Sequence, residues 1–396
     1  MGAALARPDG RACGARLCPH RARAGDPLYP AAPSCDEFRH RERAGRRGRA
    51  VPVHRPPWKV AERTDADHRP ARRGGKCMKI AVLDDYLGYS GQYADWGPLA
   101  GEVTVFRDPI PSEELARRLA PFEVLCVMRE RTPLPAALIE ALPNLRLIVT
   151  TGMRNFSIDT AAAAARGITV CGTASRTAAT AHLAMTLILV SARNLIGNVN
   201  TLARGGWQDE AGRDVEGLTL GLIGLGRLGA EIARLARPFG VEIAAWSQNL
   251  TQARCDEVGV MRADSLHDLL ARSDIASIHL VLSDRTEGLI GAEALAAMRP
   301  DACLVNTSRG PIVARDALLS ALRAGQLGCA AIDVFEEEPL PADSPWRDAD
   351  LIDTGRLILT PHIGYGARAT YARMYRETAE CVRAFADGAP IRVLGN

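Results

Sequence analysis

The chain has 396 residues, of which 47% are hydrophobic and 24% are charged, a composition typical of a globular protein. At about 100–200 residues per domain, this length predicts two or three domains with sizeable cores. No apolar run approaches the roughly 18 residues needed to cross a bilayer, so no segment is predicted to span a membrane. The net charge of +3 indicates no particular partner.

Residues 1–77 differ in composition from the rest of the chain. They carry 18 Lys and Arg against 8 Asp and Glu, whereas residues 78–396 carry 31 against 38. They show almost no apolar periodicity, so we expect a disordered basic extension. Three interpretations remain open: a basic arm that binds nucleic acid, a transit peptide, and upstream sequence attached by a start codon assigned too early. The last is favoured because Met78 opens a run typical of a first β-strand.

From Met78 onward, short β-branched runs alternate with longer helical stretches. This alternation predicts an α/β fold with parallel sheets covered on both faces. The first series predicts strands at 79–83, 103–106, 124–128, 145–150 and 168–171. An apolar helix at 177–193 follows, and a second series predicts strands at 220–223, 242–246, 275–282, 303–306, 330–334 and 357–359.

The tail, 368–385, is a single amphipathic helix that we expect to pack back onto the first domain. The second domain is therefore predicted to be an insertion. The expected boundaries are 78–176 plus 366–396 for the first domain and 177–365 for the second. The six cysteines after Met78 mostly lie in apolar runs, which is typical of reduced core residues in a cytoplasmic protein.

A glycine-rich motif, formed by Gly224, Gly226 and Gly229, lies between the strand at 220–223 and the helix at 227–239. In this context the motif predicts a dinucleotide site, because the glycines let the backbone approach a pyrophosphate at a helix N-terminus. The end of the next strand carries Ser247 rather than an acid, and the first arginine after it is Arg254. NAD is favoured as the coenzyme, and NADP is not excluded.

Three polar segments, 306–310, 333–339 and 360–364, follow successive predicted strands. Ligands bind at the carboxyl ends of such strands, so we expect Arg309, Glu338 and His362 to converge. Arg309 can clamp a carboxylate, and His362 can exchange a proton near neutral pH. Taken singly, they could be a surface cap, a solvated acid and a core histidine. Together, after a dinucleotide motif, they favour hydride transfer with a carboxylate-bearing substrate.

The chain from Met78 onward resembles the D-isomer-specific 2-hydroxyacid dehydrogenases, a family that includes D-3-phosphoglycerate dehydrogenases and glyoxylate/hydroxypyruvate reductases. The resemblance rests on the glycine motif and on the segments 273–279, 306–310, 333–339 and 361–362. It implies two doubly wound parallel-sheet domains, with a Rossmann NAD(P)-binding domain inserted into a flavodoxin-like substrate domain.

The resemblance also implies roles for individual residues. Arg309 would bind the substrate, and His362 would be the general acid/base with Glu338 as its carboxylate partner. Asp333 would hold the nicotinamide carboxamide. Further coenzyme-binding positions are Gly224, Gly226, Arg227, Leu228, Gly229, Ser247, Leu280, Thr307 and Ser308.

The substrate positions depart from the family pattern. Arg129 matches a family arginine, and the loop of Thr151, Gly152, Met153 and Arg154 would face the substrate carboxylate. Arg154 stands where the family usually has a second glycine. It could bind a second anionic group such as a phosphate, or form a surface salt bridge.

The sequence thus predicts an NAD(P)-dependent D-2-hydroxyacid dehydrogenase acting on the CH–OH group of a small acid. We expect a cytoplasmic homodimer formed through the 177–193 helix and its surroundings, without a metal, a membrane or, for residues 78–396, a nucleic acid partner. The alternative is a dinucleotide-sensing binding protein, because corepressors of this fold retain the same Arg, Glu and His.

Overall fold

The computed structural model describes residues 78–174 and 177–394, all of which belong to one compact unit. The predictions made for residues 1–77 lie outside this range. Two parallel sheets organise the described residues.

The first sheet has five strands in the order β2-β1-β3-β4-β5. All of its pairings are parallel, and this is the flavodoxin-like doubly wound order. The three middle strands are buried along their whole length, which explains why their sequences are continuous apolar runs. The strands are β1 (Ile80–Val82), β2 (Val103–Val105), β3 (Val124–Val127), β4 (Leu147–Thr150) and β5 (Thr169–Gly172).

The second sheet has seven strands in the order β12-β11-β10-β9-β6-β7-β8, which is the Rossmann order extended by one strand. The prediction of two doubly wound sheets is confirmed. The sequence analysis missed β8, which has only two residues. The strands are β6 (Thr219–Ile223), β7 (Glu242–Trp246), β8 (Met261–Arg262), β9 (Ile275–Ile278), β10 (Cys303–Asn306), β11 (Cys329–Ile332) and β12 (Leu357–Leu359).

Helices connect the strands of both sheets. Short 3-10 turns lie at Gly97–Glu102, Ser112–Glu114, Arg237–Phe239 and Gly310–Ile312. The α-helices are α1 (Ser90–Tyr93), α2 (Leu115–Leu119), α3 (Ala136–Glu140), α4 (Thr160–Ala165), α5 (Thr177–Ala192), α6 (Leu195–Ala203), α7 (Arg227–Ala236), α8 (Gln252–Val258), α9 (Leu266–Arg272), α10 (Ala292–Ala296), α11 (Arg315–Arg323), α12 (Ala349–Asp353) and α13 (Arg368–Ala386).

The C-terminal segment returns to the first sheet. Met374 and Tyr375 of α13 are buried in the core that covers β1, β3 and β4. Beyond the helix, the amide of Gly172 in β5 donates to the carbonyl of Arg392 at 3.0 Å, and that of Leu394 donates to Val170 at 2.8 Å. This packing is the one expected of the tail helix; the exact domain boundaries stay a prediction.

Helix α5 buries most of its apolar side chains within its own chain. Met185, Leu187 and Ile188 belong to the core formed with the second sheet and α7. No single helix in the described ranges is long and apolar enough to span a membrane. The bent pair formed by 178–192 and 195–203, with 66° between its helices, meets the criteria of length and composition alone.

One histidine lies half-buried beneath the glycine-rich turn. His279 follows β9, and its amide donates to the carbonyl of Ile223 at 2.8 Å. Both ring nitrogens are shielded from solvent and have no hydrogen-bond partner among the described residues. Burial lowers the pKa of His279 to about 3, so the imidazole is neutral in the folded protein.

We predict that this histidine makes folding pH-dependent. Because its pKa is lower in the folded than in the unfolded chain, the unfolded state takes up a proton first as the pH falls. The free energy of unfolding should therefore lose about 1.4 kcal/mol per pH unit between about pH 6.5 and 3 through this group. Denaturant titrations at a series of pH values should show this pH-dependent part of the unfolding free energy in wild type but not in His279→Leu. In His267→Leu, which removes an exposed imidazole, it should remain; an equal slope in all three proteins would contradict the prediction.

Candidate functional site

The turn between β6 and α7 has room for an anion. Gly224 has φ +108°, and a Cβ on it would lie 2.6 Å from the carbonyl oxygen of His279, so only glycine fits. Gly226, directly before α7, faces open space and leaves the helix without a side-chain cap. The first amides of α7, from Arg227 onward, have no intrahelical acceptor and can bind a phosphate group.

The residue at the end of the neighbouring strand is uncharged. Ser247 is half-buried after β7. Arg254 donates through Nε to the carbonyl of Leu225 at 3.2 Å, and it pairs with Glu257 at 2.7 Å. Its charge is therefore already balanced by an acid of its own helix.

The loop after β10 is shaped by Asn306. Its Oδ1 accepts from the amide of Ser308 at 3.0 Å, and its Nδ2 donates to the carbonyl of Arg309 at 2.9 Å. The hydroxyl of Ser308 donates to the carbonyl of Ile278 at 2.7 Å. In contrast, the hydroxyl of Thr307 is buried with no partner in the described ranges. Together with the open space at Gly226, this unsatisfied hydroxyl fits a site that a dinucleotide completes.

Asp333 joins the loops that follow β11 and β12. Its carboxylate is fully buried and accepts hydrogen bonds from the hydroxyl of Thr360 at 2.6 Å and from the amides of Ile363 at 2.9 Å and Gly364 at 2.8 Å. Burial raises the pKa of Asp333, although these hydrogen bonds oppose the shift. The carboxylate thus holds the segment that carries His362; its role towards the nicotinamide stays a prediction.

His362 and Glu338 form a direct pair. Nδ1 of His362 lies 2.5 Å from Oε2 of Glu338, and Oε1 of Glu338 accepts from the amide of Phe335 at 2.9 Å. Burial alone would raise the pKa of Glu338, but the bond to His362, its charge, the Phe335 amide and the charge of Arg131 together lower it. Glu338 is therefore ionised at neutral pH and engages Nδ1, which leaves Nε2 for a ligand.

Arg309 faces the loops of the first sheet. One terminal nitrogen donates to the carbonyl of Ser308 at 2.7 Å, and the other lies 3.1 Å from Oε1 of Glu130. Next to it, Arg129 has φ +53°, and its amide donates to the hydroxyl of Thr151 at 2.9 Å. The Arg129 guanidinium packs directly over Gly152, where a Cβ would collide with it. The structure therefore brings Arg129, Thr151 and Gly152 together beside Arg309.

Two residues of the predicted substrate loop remain outside this cluster. Met153 and Arg154 are exposed, and Arg154 makes no ion pair or side-chain hydrogen bond with any residue between 78 and 394 that the structure describes. The surface salt bridge considered for Arg154 is therefore not formed within this part of the chain. Its binding to a phosphate stays a prediction.

The sequence analysis missed an aromatic and cationic layer behind His362. The Arg131 guanidinium lies 4.4 Å from the ring centre of Tyr86 and 5.7 Å from that of Tyr365, and it donates to the carbonyl of Asp84 at 3.1 Å. Tyr365 in turn packs edge-on against His362 at 5.6 Å. Burial raises the pKa of Tyr86 to about 12, so its hydroxyl stays protonated. The available signal was the position of Tyr86 and Arg131 just after the predicted ends of β1 and β3.

The chain resembles known proteins over most of the described residues. A sequence model of the "D-isomer specific 2-hydroxyacid dehydrogenase, NAD binding domain" matches residues 185–364. A D-3-phosphoglycerate dehydrogenase of Archaeoglobus fulgidus is 33% identical over 318 residues, which are 80% of this chain but only 58% of that protein. A glyoxylate reductase of Korarchaeum cryptofilum is 36% identical over 263 residues, which are 65% of this chain and 77% of the reductase.

Among solved structures, a phosphoglycerate oxidoreductase of Vibrio cholerae superimposes with a TM-score of 0.72 at 36% identity, covering 79% of this chain and 100% of the other. The resemblance therefore includes both sheets and is not limited to the coenzyme-binding half. At these identities and coverages, the chain belongs to the family of D-isomer specific 2-hydroxyacid dehydrogenases.

Proposed function

We propose that this protein is an NAD-dependent dehydrogenase that interconverts a small D-2-hydroxy acid and the corresponding 2-oxo acid. The observation that carries the proposal is the 2.5 Å pair between His362 and Glu338 at the same sheet edge as Arg309 and the glycine-rich turn. When bound, the nicotinamide coenzyme accepts or supplies the hydride at C2 of the substrate. The protein supplies the anchoring, the orientation and the proton.

The coenzyme-holding residues lie on the carboxyl edge of the second sheet. The amides of Arg227, Leu228 and Gly229 at the start of α7 bind the pyrophosphate. Ser247 meets the ribose. Leu280, Thr307 and Ser308 line the remainder of the site, where the buried Thr307 hydroxyl gains the partner it lacks among the described residues.

Arg309 anchors the substrate carboxylate. Its planar guanidinium presents parallel N–H donors that match a carboxylate, and the Ser308 carbonyl fixes its orientation from behind. The side chain of Arg129 lies on the opposite side of the crevice and completes the anion site. The amides of Thr151 and Gly152, which the sequence analysis expected to face the substrate, already donate to the carbonyl of Val127 at 3.1 Å and to the hydroxyl of Thr173 at 3.0 Å. Holding the acid at both sides presents one face of C2 to the coenzyme.

His362 moves the proton. Nε2 donates to the carbonyl oxygen during reduction of the 2-oxo acid and withdraws the hydroxyl proton in the reverse direction. Because the ionised Glu338 engages Nδ1, the proton that reacts is held on Nε2. The Glu338 carboxylate also stabilises the positive charge that the imidazole ring carries when both of its nitrogens are protonated.

We predict that His362→Gln lowers kcat by at least about 100-fold, because it removes the proton donor while keeping a polar side chain of similar reach. The assay follows consumption of NADH and, in parallel, NADPH by the full chain with glyoxylate, hydroxypyruvate, pyruvate and phosphohydroxypyruvate. The Kd for NADH, measured by calorimetry, should change less than about threefold.

His267→Gln, which alters an exposed histidine on α9, is the matched control and should keep wild-type kcat. Unchanged turnover in His362→Gln would overturn the role of His362. Tight coenzyme binding by wild type without turnover of any tested acid would instead favour the ligand-sensing alternative.

We further propose a homodimer whose contact surface is centred on α6, the helix that follows α5. The apolar residues of α5 are largely used within the chain, whereas Leu195, Val199 and Leu202 project from one face of α6 into solvent, and Trp207 is exposed just beyond. An exposed apolar face of this kind is typical of an interface.

We predict that Val199→Glu converts the dimer to a monomer, because it places a charge in the middle of the apolar face that the dimer would bury. Light scattering after size-exclusion chromatography should give half the wild-type mass. Met261→Glu, at an exposed apolar residue on β8, should retain the dimer. A wild-type monomer, or a dimer in the α6 variant, would contradict this surface.

A further inference from the structure

A single carboxylate lies between the two arginines of the substrate site. Oε1 of Glu130 is 3.1 Å from a terminal nitrogen of Arg309, and its Oε2 is 3.7 Å from Nε of Arg129. Glu130 lies in the loop after β3 of the first sheet, whereas Arg309 follows β10 of the second. The ion pair therefore crosses the crevice where the two sheets' loops meet.

Glu130 has acceptor capacity that the protein does not use. Its side chain is only 20% exposed, and Oε2 is buried without a hydrogen-bond donor among the described residues. A buried carboxylate oxygen without a donor is costly to retain, so a ligand that brings a donor is favoured there. Because Glu130 pairs with Arg309, it already balances part of the positive charge that anchors the substrate.

The charges of this cluster select for the charge of the substrate. Arg129 and Arg309 contribute two positive charges and Glu130 one negative charge, which leaves one positive charge to be balanced. The carboxylate of a monoanionic acid balances it. A second anionic group would face Glu130 in a poorly solvated crevice, where like charges repel strongly.

We propose that Glu130 is a specificity-determining residue that restricts the substrate to monoanionic 2-oxo and 2-hydroxy acids and favours those with a hydrogen-bond donor close to C2. The proposal rests on the role of Arg309 in the proposed function. It excludes phosphorylated acids and dicarboxylic acids as preferred substrates. Arg154 does not offset this effect, because it is exposed and makes no described contact with Glu130, Arg129 or Arg309.

Two isosteric ligands test the proposal without requiring turnover. Oxamate is a monoanion with an amide donor, and oxalate is the corresponding dianion at pH 7. Calorimetry on the full chain saturated with NADH should show that wild type binds oxamate at least about tenfold more tightly than oxalate. In Glu130→Gln this ratio should shrink at least about fivefold, because the variant keeps the shape and removes the charge.

Two variants serve as controls. Glu130→Asp keeps the charge and should retain most of the preference for oxamate. Glu123→Gln removes a carboxylate of the same sheet that pairs with Arg146 at 3.2 Å, away from the crevice, and should match wild type. In turnover assays, kcat/KM of wild type should be more than about tenfold higher for hydroxypyruvate than for phosphohydroxypyruvate. This ratio should be smaller in Glu130→Gln, mainly because the KM for phosphohydroxypyruvate falls.

The outcomes separate the two proposals. An unchanged oxamate-to-oxalate ratio in Glu130→Gln, or a wild-type preference for oxalate, would overturn the role of Glu130 and leave the dehydrogenase proposal standing. Binding of neither analogue by wild type loaded with NADH would overturn the carboxylate site at Arg309, and the Glu130 proposal with it.

Discussion

The buried carboxylate of Asp333 ties the end of β11 to the loop that follows β12. Its oxygens accept from the Thr360 hydroxyl and from the amides of Ile363 and Gly364, so the segment between them cannot relax. Hydrogen bonds to a charged group contribute about 1.5–3 kcal/mol each, and they offset part of the cost of burying the charge, which still raises the pKa of Asp333. His362 is thereby held at φ +50° against Glu338.

Close backbone approaches shape the other half of the site. Gly224 sits so near the carbonyl of His279 that a side chain on it would collide, and Gly310 packs against the backbone of Phe335 in the same way. These contacts draw the loops inward, whereas Gly226 faces open space. The same close approach lies next to the His279 ring, whose nitrogens have no partner among the described residues.

Much of the fold could be predicted because parallel strands covered on both faces must be apolar throughout, which makes them recognisable as continuous runs. The strand at Glu242–Trp246 and that at Cys303–Asn306 have the predicted bounds. β8 escaped prediction because its two residues are exposed at the sheet edge and carry no apolar run. The apolar excess of α5 predicted that the helix is buried, but not what buries it. A helix buried in the core of its own chain and one buried in a dimer interface have the same composition.

The contact between His362 and Glu338 could be predicted because both lie on segments that follow the neighbouring strands β12 and β11, whose carboxyl ends meet at one sheet edge. Glu130 and Arg131 also follow a strand end, that of β3, but their pairing could not be predicted, since their partners Arg309 and Tyr365 lie far along the chain on loops that cross from the other sheet. Their contribution depends on how the two sheets meet, a property that no local pattern encodes. We therefore expect the residues at the strand ends to determine the type of reaction, and the net charge at this crossing to distinguish among the acids that undergo it.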